Sequence, residues 1–216
     1  MKIESYRARS QASKAEKYAT RFETGARKRI HQREIRAVQK IFASLDGCAT
    51  VVDVPSGAGR FLTALSTNGR RVLEVDVALD MLAFGRKRNN AATSGGLRHF
   101  VQGDATRLPL AKGSVDCVFC NRLLHHIVVA DERAVILREL HRVTRRWVVV
   151  SFFDYHSFGT VRKVLKRLKG RKPKYDHEPT RAEFQKEVER AGFRVEEIMP
   201  TGSPWVAQKF FVLEKV

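Results

Sequence analysis

The chain has 216 residues, 43% hydrophobic and 30% charged, enough for one domain with a sizeable core and a small appendage. No run approaches the roughly 18 apolar residues of a membrane span, the charged opening MKIESYRARS does not read as a signal peptide, and three cysteines are too few for a disulfide framework, so a cytoplasmic protein is expected. The charge, 41 Lys and Arg against 23 Asp and Glu, gives +18 and is uneven: twelve bases and five acids in 1–46, eight bases and no acid in 160–174, six of each in 181–216. Such a field attracts anions without naming them.

In chain order, residues 26–45 place Ile30, Ala37, Val38, Ile41, Phe42 and Leu45 on one helical stripe with basic residues opposite. ATVVDV (49–54) predicts a strand, and GRFLTALST (59–67) a helix ended by Asn68-Gly69. A strand over 71–77, a helix over 79–89 and strands over 97–102 and 114–120 follow. Cys117 and Cys120 fall in that last strand, where residues three apart face opposite sides, so they read as buried structural cysteines rather than metal ligands. DERAVILRELHRV (131–143) is a helix, and RWVVVSFF (146–153) a strand apolar on both faces. The basic segment predicts a helix over about 158–168, broken at Gly170 and Pro173. Thr180 with Glu183 forms a capping box ahead of a helix that Gly192 stops. FRVEEIMP and WVAQKFFVLEKV close the chain as strands.

Alternating strands and helices argue for an α/β fold with a parallel sheet and helices on both faces. Only residues 201–204 or so separate the last two strands, too few for the dozen-residue crossover of a parallel pair. An antiparallel hairpin is expected there, giving a mixed, Rossmann-like sheet of seven strands.

In such a sheet, ligands bind beyond the carboxyl ends of the strands, near the point where strand order reverses. The loop Pro55-Ser56-Gly57-Ala58-Gly59 follows the first strand, and its glycines permit unusual φ and close approach. A dinucleotide loop reads G-x-G-x-x-G, and here Leu62 replaces the third glycine, which weakens a pyrophosphate site. Asp76 lies 19 residues after Gly57, close to the spacing of a ribose-binding carboxylate. A ribose without a pyrophosphate suggests a nucleoside. Asp104 in VQGDATRLPL ends the third strand, where a carboxylate can accept from an adenine amine; a turn former is the plainer reading of that residue alone.

Together VVDVPSGAGRF, VLEVDVALDML, FVQGDATRLPL and VDCVFCNRLLHHI resemble the class I S-adenosylmethionine-dependent methyltransferases over about 49–127. The pattern LDxPxGxGRF…NRxLHH, carried here with Val52 in place of Leu, is similar to a small-molecule-type subgroup. The resemblance implies S-adenosylmethionine as cofactor and S-adenosylhomocysteine as product. It implies that Asp53, Gly57 and Gly59 line the methionine end, Pro55 being a stiffer variation beside them. It puts Asp76 on the ribose hydroxyls, with Val77 and Met81 beside it. Asp104 and the Ala105 backbone go to adenine, and Asn121 and Arg122 to the sulfonium side. Charge and element order, taken with the resemblance, divide the chain into a basic N-terminal helical arm or lid (1–46), a cofactor-binding core (47–153), a basic substrate-cap insert (154–178), and a C-terminal helix and hairpin completing the sheet (179–216).

A methyl acceptor with an OH or NH needs a base to take its proton. The candidates are His125 and His126, then Asp154, Tyr155 and His156 directly after the fifth strand; no ligand cluster requires a metal. The basic cap reads either as a solvated amphipathic helix or as a recruiter of an acidic acceptor: a phosphorylated metabolite, a lipid-linked molecule at an anionic membrane surface, or RNA. The leading expectation is methyl transfer to an O or N nucleophile of a small or lipid-linked, anionic acceptor, by a protein peripheral to the inner face of a membrane. The alternative is an RNA methyltransferase that holds phosphates with its arm and cap, although the (Asp/Asn)-Pro-Pro-(Tyr/Phe) and Pro-Cys motifs of many nucleic-acid enzymes are missing. A non-catalytic cofactor-binding module is the third reading, and the oligomeric state is left open.

Overall fold

The computed structural model describes residues 20–90, 98–154, 179–202 and 206–216. The short β-branched run TVVD forms β1 (Thr50–Asp53), followed by β2 (Arg71–Asp76), β3 (Arg98–Gln102), β4 (Val115–Cys120), β5 (Thr144–Phe153), β6 (Phe193–Pro200) and β7 (Gln208–Lys215). They make one sheet of order β3-β2-β1-β4-β5-β7-β6. The first five are mutually parallel, while β7 runs antiparallel to both β5 and β6. The expected C-terminal hairpin is present, but β7, not β6, lies against β5. Phe210, Phe211, Val212 and Leu213 are all buried, as an interior strand requires. Arg194, Glu196 and Pro200 are exposed on β6, and charge and proline suit an edge.

The helices are α1 (Gly25–Ser44), α2 (Leu62–Leu65), α3 (Leu79–Asn90), α4 (Ala130–Val143) and α5 (Arg181–Arg190). On one face of the sheet, Val52, Val118, Val148, Val150 and Phe152 pack against Ile136, Leu137 and Leu140 of α4 and Phe184 and Val188 of α5. On the other face, Val51, Cys117, Phe119 and Val149 pack against Val38, Ile41 and Phe42 of α1 and Leu62 and Leu65 of α2. Cys117 and Cys120 fall into opposite clusters, as the alternation of a strand dictates. The capping box is formed: Glu183 N donates to Thr180 Oγ1 (3.2 Å), and Thr180 N to Glu183 Oε2 (2.7 Å).

Three local expectations change. The helix expected over 59–67 shrinks to α2, because Gly59 takes φ +64° and the chain stays in turns up to Phe61; a 3₁₀ turn (Thr67–Gly69) follows, with Asn68 at φ +59°. Ile30, placed on the apolar stripe, is 40% exposed, while Glu34 is fully buried. The helix expected over 158–168 lies outside the described residues. Among the described residues, no helix is long and apolar enough to cross a membrane.

Candidate active site

The strand order reverses between β1 and β4, so their carboxyl ends open a crevice that β2 and β3 extend. The loop after β1 is folded by its own backbone. Val54 N donates to Phe119 O (2.9 Å), Ser56 N to Val75 O (2.9 Å) and Gly59 N to Ser56 O (3.1 Å). Gly57 (φ +56°) and Gly59 (φ +64°) occupy the left-handed region that only glycine adopts without cost. A Cβ on Gly59 would also stand 2.9 Å from Asn89 Nδ2 and 3.3 Å from Glu74 Oε2. The Val54–Pro55 peptide bond is cis.

Asp53 ends β1 at 1% exposure, and neither of its carboxylate oxygens has a hydrogen-bond partner among the described residues. Burial drives its carboxyl well above the ordinary aspartate range; Arg60 opposes this and Asp76 adds to it. An unsatisfied buried carboxylate is costly, and a positively charged ligand is what would satisfy it. Ser56 Oγ is likewise buried without a hydrogen-bond partner among the described residues.

Asp76, the last residue of β2, accepts from Gly57 N (2.8 Å) through Oδ2 and from Ala78 N (2.9 Å) through Oδ1. Burial raises its pKa, and those amides pull it back. It therefore braces the glycine loop against the start of α3, where Met81 Cε would lie 3.4 Å from a Cβ on Gly57. Val77 is half-buried, and its carbonyl accepts from Gln102 Nε2 (3.0 Å). Gly85 on α3 lets that helix approach Ala58, whose carbonyl carbon would be 3.0 Å from an added Cβ. Close packing of helix on loop, which a third loop glycine would provide elsewhere, comes here from Gly85; an isolated glycine inside a helical pattern was its only signal.

After β3, Asp104 Oδ1 accepts from Thr106 N and Thr106 Oγ1 (both 2.8 Å), which shapes the turn beside the buried Ala105. After β4, Asn121 is buried and its Oδ1 accepts from Gln208 Nε2 (3.2 Å). Arg122 adopts φ +61°, held by its N donating to Ser151 Oγ (2.7 Å). Its side chain reaches Glu34 Oε1 through Nε (2.9 Å) and Gln208 Oε1 through Nη2 (3.1 Å). Arg60 reaches the other oxygen of Glu34 (3.3 Å) and also His31 Nδ1 (3.0 Å). Glu34, Arg60 and Gln208 did not emerge from the sequence, where each is one polar residue among many.

Of the base candidates, His125 is half-buried with Nδ1 unpartnered, its ring 4.2 Å from Phe153 and 3.9 Å from His126. Burial, then His126 and Arg122, push its pKa far below the ordinary histidine value. His126 is exposed. Asp154 is 5% exposed, with Lys209 Nζ at 3.9 Å. Tyr155 and His156 lie outside the described residues.

The description of the matching family model, over residues 52–152, is a methyltransferase domain. Over this segment, just under half of the chain, the protein is similar to that methyltransferase-domain family. The magnesium protoporphyrin IX methyltransferase of Synechocystis PCC 6803, solved with bound SAH, shares the fold with TM-score 0.77 and 17% identity over 98% of each chain. A malonyl-[acyl-carrier protein] O-methyltransferase from Hamiltonella defensa is 28% identical over 77% of this chain and 56% of its own length. A demethylmenaquinone methyltransferase from Beutenbergia cavernae is 36% identical over 47% of this chain and 40% of its own. The first curated relatives are matched over only 17%, 56% and 37% of their lengths.

Proposed function

We propose that this protein moves a methyl group from S-adenosylmethionine to an O or N nucleophile of a small or lipid-linked, anionic acceptor. The cofactor supplies a methyl group already activated by a positively charged sulfur, so binding, orientation and proton management fall to the protein. The donor set suits it. Asp53, buried and unpartnered, matches the ammonium of the methionine moiety, and Gly57 and Gly59 leave the loop backbone without side chains over that end. Asp76, which braces this loop, is the residue we assign to the ribose hydroxyls, and Asp104 with the Ala105 backbone to the adenine.

The observation that carries the acceptor's charge is a row of cations on α1. Arg29, Arg33, Arg36 and Lys40 are exposed at spacings of four, three and four, which aligns them along one face of the helix. No hydrogen bond or ion pair ties them to an acid among the described residues, and such like-charged neighbours repel. An anion offsets that repulsion. His125 is a weak proton acceptor at neutral pH, and an acceptor that arrives already ionised needs none. Among the relatives, malonyl-[acyl-carrier protein], demethylmenaquinone and phosphoethanolamine are named as acceptors, each small or carrier-linked. The same row favours peripheral contact with an anionic membrane at the cytoplasmic face.

The test is methyl transfer from labelled cofactor into lipid, small-molecule and RNA fractions. Label in the lipid or anionic small-molecule fraction is expected. Label confined to RNA, with binding that falls steeply with salt, would replace this reading by an RNA methyltransferase.

A further inference from the structure

The arm helix α1 meets the cofactor loops through one side chain. Glu34 is 0% exposed and is the only acid in Gly25–Ser44. Arg60 stands in the loop after β1, directly behind Gly59, and Arg122 stands in the loop after β4. Both guanidinium groups end on this carboxylate, one on each oxygen, at 3.3 Å and 2.8–2.9 Å. Phe22, buried ahead of α1, lies under both cations, with its centroid 3.8 Å from Arg60 Cζ and 5.5 Å from Arg122 Cζ.

Arg122 is held in a backbone conformation that is costly for any residue but glycine. Such a conformation persists where the surroundings over-determine it. Here Ser151, Glu34 and Gln208 each anchor it, from β5, α1 and β7. Arg122 also reaches β5, its Cζ 5.5 Å from the Phe153 ring against which His125 packs.

We propose that Glu34 is a positioning residue of the transferase site, a buried carboxylate that fixes Arg60 and Arg122 and makes α1 one wall of the cofactor crevice. It touches neither cofactor nor acceptor; it acts by holding the two arginines and, through them, the loops after β1 and β4. Removing it leaves two largely buried guanidiniums without their shared partner. The loops then relax and the arm detaches at its first turns, where α1 carries few apolar contacts, while Val38, Ile41 and Phe42 keep the rest docked. The inference rests on the reading that these loops hold S-adenosylmethionine.

The experiment follows S-adenosylhomocysteine affinity by calorimetry and tryptic cleavage of the arm, whose Arg27, Lys28 and Arg29 are exposed. For Glu34→Gln, affinity is expected to fall about tenfold, and cleavage within α1 to accelerate by a similar factor, while circular dichroism stays that of a folded core. Arg122→Gln, which leaves the Arg60 contact in place, should lose part of that affinity, and the double variant should be no worse than Glu34→Gln alone, because Glu34→Gln already breaks the ion pair that Arg122→Gln removes. Glu34→Asp, which keeps the charge, should recover part of the affinity. If Glu34→Gln does not fold, Glu34→Asp and its double with Arg122→Gln carry the same comparison. Strictly additive losses, or a lowered melting temperature with affinity and cleavage unchanged, would overturn the proposal and leave Glu34 a plain structural ion pair. Failure of the wild-type protein to bind S-adenosylhomocysteine would instead overturn the cofactor reading.

Discussion

Asp76→Ala probes the junction of loop and ribose end most directly. The carboxylate is 5% exposed and is the acceptor for two backbone donors, Gly57 N–H at 2.8 Å and Ala78 N–H at 2.9 Å. Alanine leaves both donors unpaired in a site with little water, at about 1–3 kcal/mol each. Burial already disfavours the charged form of Asp76, so its removal is partly compensated and the low end applies. A loss of about 2–3 kcal/mol is expected, which for a chain of this size lowers Tm by roughly 4–12 °C. Affinity for S-adenosylhomocysteine should fall separately by about 1.5–3 kcal/mol, or on the order of 10–150-fold, if the carboxylate also holds the ribose. Scanning calorimetry gives the first number and titration calorimetry the second. Asp76→Asn keeps one acceptor oxygen and should lose about half the stability increment. A Tm shift under about 2 °C with unchanged affinity would refute both roles, whereas a full Tm shift with unchanged affinity would leave Asp76 as a loop brace only.

Asp53→Asn should raise Tm at neutral pH, because the folded carboxyl titrates above its unfolded value and folding therefore disfavours its charge as pH rises; yet it should weaken S-adenosylhomocysteine binding roughly 10-fold or more. In the unaltered protein the same titration, run in buffers of different ionisation enthalpy, should report a proton released on binding; no release in either protein would count against an Asp53–ammonium contact. Gly59→Ala should cost about 2 kcal/mol or more, from the left-handed φ plus the approach to Asn89, whereas Gly113→Ala, at φ +59° with its nearest neighbour 4.0 Å away, should cost only the backbone part of about 1 kcal/mol; equal losses in urea titrations would show that crowding at Gly59 is irrelevant. His31, held near a pKa of about 4 by burial and Arg60, binds fewer protons folded than unfolded between pH 4 and 6.5, so stability should climb across that window and level off above it. His31→Gln should flatten that climb, and an unaltered slope would assign it to other groups.

The alternation of β-branched runs with amphipathic segments was enough to predict a parallel sheet with helices on both faces, and the short link at 201–204 a final antiparallel pair. These depend on the periodicity of single elements and on connection length, both written along the chain. Loop chemistry was legible for the same reason: Gly57 and Gly59 follow β1 directly, and Asp76 ends β2. The helix expected over 59–67 was overdrawn because its apolar spacing hides the positive φ of Gly59. That β7 inserts between β5 and β6 follows from the burial of both its faces, which a sequence pattern expresses only weakly. The cluster of Glu34, Arg60, Arg122 and Gln208 could not be read from the sequence. Glu34 lies 26 residues from Arg60 and 88 from Arg122, and Gln208 lies 86 from Arg122. A lone acid in a basic helix looks solvated until the sheet order places two arginines beneath it. Periodicity determined the fold and the edge at which a ligand binds; only the packing of α1 across β1 and β4 decided which charges meet there, because an ion pair between elements depends on their arrangement in space and not on their separation in the chain.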